Sequence, residues 1–282
     1  MLVWDRTPFF RDAGKVFHIC STPSAASALA QKYGADSVFY GTSHLPFLNA
    51  INAVVSGRND VIKVHPGTYT FTALITTAKV FTLEADVLAP GSVVISGDGG
   101  TKTNLFSFSG SGVVLRGLTF VEASTGTANM IASTGAGTVV EDCVVRGGGI
   151  VSANASLYLN AIECIVRRCR VHDTLKGILV GGSRCLVEDC LITTSANNSA
   201  YFGISTGGTS TGIIIRNNTV YGTGAAFSGI TIAASTTLTI MDNNKVSAAT
   251  RFTNTGTAMY FQCIMPGAIS SNATVPAYWI ST

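Results

Sequence analysis

The sequence predicts an all-β fold, a right-handed single-stranded parallel β-helix with a short N-terminal capping helix, and three observations carry that prediction. The first is a seven-residue pattern of two apolar residues, two polar ones, a Cys or Asn, any residue and an apolar one. It occurs as VVEDCVV (139–145), IVRRCRV (165–171), LVEDCLI (186–192) and IIRNNTV (214–220), with degenerate copies VLRGLTF (114–120) and IMDNNKV (240–246). Its fifth position falls at Leu118, Cys143, Cys169, Cys190, Asn218 and Asn244, at intervals of 25, 26, 21, 28 and 26 residues. A period of this size marks a solenoid in which each coil covers its neighbour's apolar face. The second observation is a Gly-Ile step that keeps the same period: Gly149-Ile150, Gly177-Ile178, Gly203-Ile204 and Gly229-Ile230.

The third is a column of charge. Two residues before the Cys or Asn the copies read Arg116, Glu141, Arg167, Glu188, Arg216 and Asp242, with the sign changing at every step. Parallel rungs stack equivalent residues roughly 4.8 Å apart, where like charges repel and opposite ones pair. Alternation with a kink at the Cys or Asn turns Cys164, Val166, Cys169 and Val171 inward, and likewise Cys185, Val187, Cys190 and Ile192, leaving the charged column facing solvent. The Asn column (Asn218, Asn244) is expected to hydrogen-bond along the axis.

Only 12% of the 282 residues are charged and the net charge is +3. Neither a nucleic-acid nor an anionic-membrane partner is expected from so small and scattered a charge. No apolar run is long enough to span a bilayer, and MLVWDRTPFF lacks the basic and apolar regions of a cleaved export signal. Seven cysteines, most of them on inward positions, read as small core residues of a protein made in a reducing cytoplasm.

Taken in order, residues 1–42 form an N-terminal attachment or cap segment, with Trp4, Phe9 and Phe10 near the terminus and a helix expected over 24–34, ending at Gly34. Residues 43–263 form the β-helix. SHLPFLNAINAVVSG (43–57) has helical spacing with Pro46 in the first turn, and VIKV (61–64) is a strand broken by Pro66-Gly67. Residues 264–282, with Tyr278 and Trp279, form a C-terminal cap or a contact between chains.

The helix, VIKV and PGTYTF (66–71) together resemble the opening of the pectate-lyase-like parallel β-helix superfamily, and also the first coils of β-helical virion proteins of tailed phages. The resemblance implies that the helix caps the barrel. HDTL (172–175) resembles the QDTL element of pectin methylesterases, which would put Asp173 in the place of a catalytic acid. The companion elements of that family are absent, as are the signature elements of polygalacturonases and pectate lyases. Glu141-Asp142 and Glu188-Asp189 could serve a glycan-cleaving enzyme, but Arg167-Arg168 on the rung between would neutralise both. Cys164, Cys169, Cys185 and Cys190 are spaced wrongly for zinc. No catalytic residue, metal or cofactor is expected.

The resemblance implies a phage virion structural protein, a capsid-bound decoration or spike, found as a homotrimer. Its N-terminus (Trp4, Phe9, Phe10) would join the major capsid or another virion protein, with Tyr278 and Trp279 as further contacts and a host surface glycan as a further partner. The alternatives are a tailspike-like or pectin-lyase-like polysaccharide-degrading enzyme and a carbohydrate-binding β-helix.

Overall fold

Each copy of the motif builds two short strands with a bend between them. In VVEDCVV the strands are Val139–Glu141 and Val144–Arg146, and the bend is made by Asp142, whose φ of 55° is left-handed. Gly117, Arg168, Asp189, Asn217 and Asn243 occupy the same place with φ of 70°, 52°, 53°, 56° and 45°. Gly, Asn and Asp tolerate this region better than other residues, which accounts for the fourth motif position in every copy except IVRRCRV. One left-handed residue interrupts the alternation, so that Val140, Cys143 and Val145 all turn inward and are at most 1% exposed. The kink therefore lies one residue ahead of the Cys or Asn at which the sequence pattern placed it.

The computed structural model describes residues 14–87, 89, 91–98, 105–121, 129–147, 155–194, 201–223, 227–248, 250–254, 257–264 and 270–271. It is a right-handed parallel β-helix with three faces. The first carries Val61–Val64, Thr82–Ala85, Val114–Arg116, Val139–Glu141, Ile165–Arg167, Leu186–Glu188, Thr211–Arg216, Thr237–Ser247 and Thr257–Ile264, each paired in parallel with its equivalent one coil on. The second follows the left-handed corner, from Gly67–Phe71 through Val93–Gly97, Thr119–Val121, Val144–Arg146, Arg170–His172 and Leu191–Thr194 to Thr219–Gly222. Among the described residues these two faces merge into one 18-stranded sheet, and the third is a separate 9-stranded sheet.

Parallel pairing starts ahead of the repeat. Strand β1 (Val16–Cys20) leads into helix α1 (Pro23–Tyr33), strand β2 (Val38–Tyr40), helix α2 (Leu45–Ala53) and strand β3 (Val61–Val64), and β1 pairs with both β2 and β3. Helix α1 starts at Thr22, whose hydroxyl accepts from the Ala25 amide, and ends at Gly34 with φ 88°. It buries none of its residues, whereas α2 buries Pro46, Phe47, Ala50 and Ile51. Phe47 meets Tyr69 and Phe71 edge-on at centroid distances of 5.1 and 4.9 Å, so α2 closes the apolar end of the first coils. Lys79 Nζ, 2.7 Å from Asn52 O and 2.6 Å from Val54 O, satisfies carbonyls at the end of α2.

The fully buried Asp60 ties this cap to β1, accepting from the Lys15 and Val55 amides at 2.7 and 2.8 Å and from Arg58 through Nε and Nη2. Burial pushes its carboxyl up, but Arg58 and the two amides outweigh that and hold it below the usual carboxylate range.

On the third face the Gly-Ile steps at Gly177, Gly203 and Gly229 stack in register. A Cβ on Gly203 would lie 2.4 Å from Val220 Cγ1 and 2.8 Å from the Gly229 carbonyl oxygen, and one on Gly177 would lie 2.2 Å from the Gly203 carbonyl oxygen, so both positions need Gly for the rungs to stack this closely. Gly149-Ile150 lies outside the described residues.

Candidate functional site

The charged column forms a continuous ladder along the first face. Backbone register aligns His18, Lys63, Glu84, Arg116, Glu141, Arg167, Glu188, Arg216, Asp242 and Gln262, one per rung. Lys63 and Glu84 extend it two rungs beyond the residues the motif marked. Their coils lack the motif, and register alone reveals them.

Glu141 sits at the centre. Arg116 Nε is 2.5 Å from its Oε1 and Arg167 Nε 2.6 Å from its Oε2, while Arg168 Nη2 approaches Oε2 at 3.1 Å. The three guanidinium groups cover it, and Glu141 is 1% exposed. It was expected to face solvent; its position is outward, but long arginine side chains close over it. Burial pushes the carboxyl up, and the hydrogen bonds of Arg167 and Arg116 more than reverse this, holding it below the usual range. Asp142 is likewise held low, chiefly by the Arg168 guanidinium 2.7 Å from its Oδ1. Further along, Arg216 Nη2 lies 2.7 Å from Glu188 Oε2, while Arg167, aligned between Glu141 and Glu188, makes its ion pair with Glu141.

Inside the corner, the Cys and Asn column answers a backbone need. The amide of Asn218 donates to Asn244 Oδ1 at 3.0 Å, and that of Cys190 donates to Asn218 Oδ1 at 3.0 Å. In the earlier coils Cys143, Cys169 and Cys190 take that place, and each thiol donates to a main-chain carbonyl at 3.2–3.4 Å. Asn218 and Asn244 thus each supply an acceptor to the buried amide one rung earlier, which an aliphatic residue cannot do. Sequence reasoning took the cysteines as filler. The six described cysteines are free and buried, and enclosure pushes the Cys143 thiol well above the ordinary range, with Cys169 adding to it.

A second cluster was not foreseen, because its histidines looked scattered in the sequence. Parallel pairing of β1 with β3 brings His18 Nδ1 within 3.0 Å of His65 Nε2, and His65 Nδ1 lies 3.2 Å from Asp86 Oδ2. With Asp86 accepting from His65 Nδ1, His65 Nε2 is the acceptor of the His18 Nδ1 proton, which leaves His18 Nε2 as a bare lone pair. That atom is buried and has no partner among the described residues. Tyr33 of α1 stacks on the His18 ring at 4.2 Å.

Asp173 is exposed at a corner with φ 53°. The attachment residues Trp4, Phe9, Phe10, Tyr278 and Trp279 lie outside the described residues. No helix among the described residues is long and apolar enough to cross a membrane.

Residues 92–264 match the family model described as periplasmic copper-binding protein (NosD). The chain belongs to the NosD family. This NosD-family chain has no match among curated proteins. Among solved structures it resembles a pectin methylesterase in complex with a hexasaccharide, at 13% identity and a TM-score of 0.52, over 83% of this chain and 86% of that one. The likeness is one of fold. The ORF18 protein of Geobacillus virus E2 also matches, at 13% identity and a TM-score of 0.43, over 82% of this chain and 56% of that one.

Proposed function

We propose that this chain is a non-catalytic structural protein of a tailed-phage virion, a capsid-bound decoration or spike whose β-helix projects from the particle as one of three copies. The observation that carries the reading is the state of the outward carboxylates. Cleavage of a glycosidic bond needs a carboxylic acid that still holds its proton near the working pH, and hence a raised pKa. Glu141 and Asp142 are held the other way by Arg167, Arg116 and Arg168, and Glu188 is engaged by Arg216. The ladder serves cohesion between coils. The sequence resemblance of VIKV and PGTYTF to the first coils of virion β-helices supports the setting, and Trp4, Phe9 and Phe10 supply large aromatics of the kind that dominate an interface.

The family's name raises copper. Among the described residues no three His, Cys, Asp or Glu side chains gather where they could hold a metal. The thiols of Cys143, Cys169 and Cys190 follow one another along the axis, each turned to a main-chain carbonyl at 3.2–3.4 Å. A line of enclosed thiols does not converge on a cation, so the described residues do not fit copper.

Cryo-electron microscopy of the phage particles tests the proposal. The expected result is a three-fold rod on the capsid, lost when residues 1–14 are deleted from a chain that still folds. Asp173→Asn and Glu188→Gln are expected to leave incorporation intact. Wild-type protein that depolymerises a host polysaccharide, with activity lost in either carboxylate variant, would overturn it.

A further inference from the structure

Helix α1 lies on the first coil without burying a residue of its own, yet it covers a histidine. His18 occupies an outward position of β1, level with Lys63 of β3, and is nevertheless 3% exposed. Tyr33, the last residue of α1, lies over it, the two rings stacked at 4.2 Å with 21° between their planes. Tyr33 itself is 44% exposed. A surface helix is thus joined to the sheet through one titratable ring.

The positions of the protons in this cluster are forced. Asp86 accepts from His65 Nδ1 at 3.2 Å and His65 Nε2 accepts from His18 Nδ1 at 3.0 Å, so the one lone pair left over is that of His18 Nε2, buried and without a partner among the described residues. A proton added to His18 goes to that atom. A proton added to His65 goes to its Nε2, and two N–H groups then meet unless His18 gives up its Nδ1 proton and carries one on Nε2 instead. By either route the acid form sets an N–H on the buried His18 Nε2. A buried donor without an acceptor is costly, and here it arrives together with a positive charge.

The surroundings do not relieve that cost. Burial disfavours the cation most; Lys63 of β3 and Lys32 of α1 add to this at His18, and Asp86 opposes them without prevailing, so that both histidines are held below the ordinary range. Asp86 is shared with Lys63, whose Nζ lies 3.6 Å from Oδ1 and 3.7 Å from Glu84 Oε1. Cys20, two residues further along β1, is a thiol pushed up by burial. Asp36, in the 3-10 turn Ala35–Ser37 that follows α1, and Tyr40 of β2 are exposed, and α2 carries no titratable side chain. Water is the acceptor that the new N–H can gain, and it reaches Nε2 when Tyr33 lifts away.

We propose that His18 and Tyr33 form an acid-operated latch, in which protonation of the His18–His65 pair expels Tyr33 and releases α1 from the first coil while β1 stays paired with β2 and β3. The device goes beyond the structural role proposed above and does not depend on it. The closed pair titrates below the ordinary range, whereas the open pair, in water, titrates near about pH 6.5. Closure is therefore complete above that value and weakens as pH falls below it.

Hydrogen exchange of the full chain, read by mass spectrometry at about pH 7.5 and about pH 5.5 and corrected for the chemical exchange rate, tests the latch. Protection across Pro23–Tyr33 is expected to fall about tenfold on acidification, while that of Val139–Glu141 and Val144–Arg146 stays unchanged. His18→Phe keeps a ring for Tyr33 to stack on and removes the titrating atoms, so its α1 is expected to stay protected at both values. Tyr33→Ala is expected to open α1 already at the higher pH, with a further change of less than about twofold at the lower one. The wild-type profile alone is decisive should His18→Phe fail to fold. Equal protection of α1 at the two values, loss of protection in helix and coils together, or a His18→Phe helix that opens with acid as wild type does would overturn the proposal.

Discussion

Arg167 Nε lies 2.6 Å from Glu141 Oε2, a contact across 26 residues of chain and a single rung of the sheet. Register then sets Glu188 on the other side of Arg167. Because the guanidinium is 37% exposed, the pair is worth about 1 kcal/mol, and Arg167→Ala is expected to lose about that much. Arg167→Glu would set three acids in succession and is expected to cost about twice as much. Thermal melting of both variants checks this, and equal melting temperatures would show that the rungs are not aligned as described.

Glu141 is the more sensitive member of the ladder. Its removal in Glu141→Ala leaves three guanidinium groups facing one another, and a loss of about 2 kcal/mol is expected, below the buried-pair range because water reaches the arginines. The pH dependence has a definite sign. The folded carboxyl is held below its ordinary value, so its contribution is complete above the unfolded pKa and disappears as pH falls through the lower folded one. Acid denaturation of Glu141→Gln is expected to be flatter across that window.

Asn218→Ala removes the acceptor of the Cys190 amide and the donor to Val187 O at 2.9 Å. Both partners are buried, and about 2–3 kcal/mol of destabilisation is expected. Asn218→Cys, which puts a thiol where Cys143, Cys169 and Cys190 already fit one, is expected to recover part of it. Urea unfolding of the two variants side by side decides the matter, and equal stabilities would remove the capping role of the column.

His18 and His65 are both held below the ordinary histidine range, first by burial, with His65 acting on His18 and Lys63 on both in the same direction against the pull of Asp86. The unfolded chain binds more protons below about pH 6.5, so stability rises with pH through that region and levels off above it. Melting temperature between pH 5 and 7 is expected to climb in wild type and to climb less in His18→Gln.

The six described thiols are expected to resist alkylation in native protein, since all are buried. Mass spectrometry after timed labelling should find Cys143, Cys169 and Cys190 unmodified until denaturant is added; rapid native labelling of Cys169 would contradict the packed corner.

Where a residue type repeats at the coil period, the sequence is readable. The ladder from Arg116 to Asp242, the inward Cys and Val pairs and the helix ending at Gly34 all stood out because each is a local pattern or a periodic one. Parallel pairing of β1 with β3 was not legible, because the intervening helices break the period and VFHIC carries no copy of the motif. His18 and His65 meet only through that pairing. The left-handed corner was half legible: Gly, Asp and Asn at the fourth motif position signal it, and Arg168 conceals it.

The alternating sign of the ladder also gives the rod a parity. Excising the single coil that carries Arg167 would set Glu141 against Glu188, and duplicating it would set arginine against arginine. Excising the coils of Arg167 and Glu188 together would leave Glu141 facing Arg216, with every neighbour still opposite in sign. The length of this β-helix is thus free to change in steps of two coils and resisted in steps of one, a rule written into one outward residue per turn.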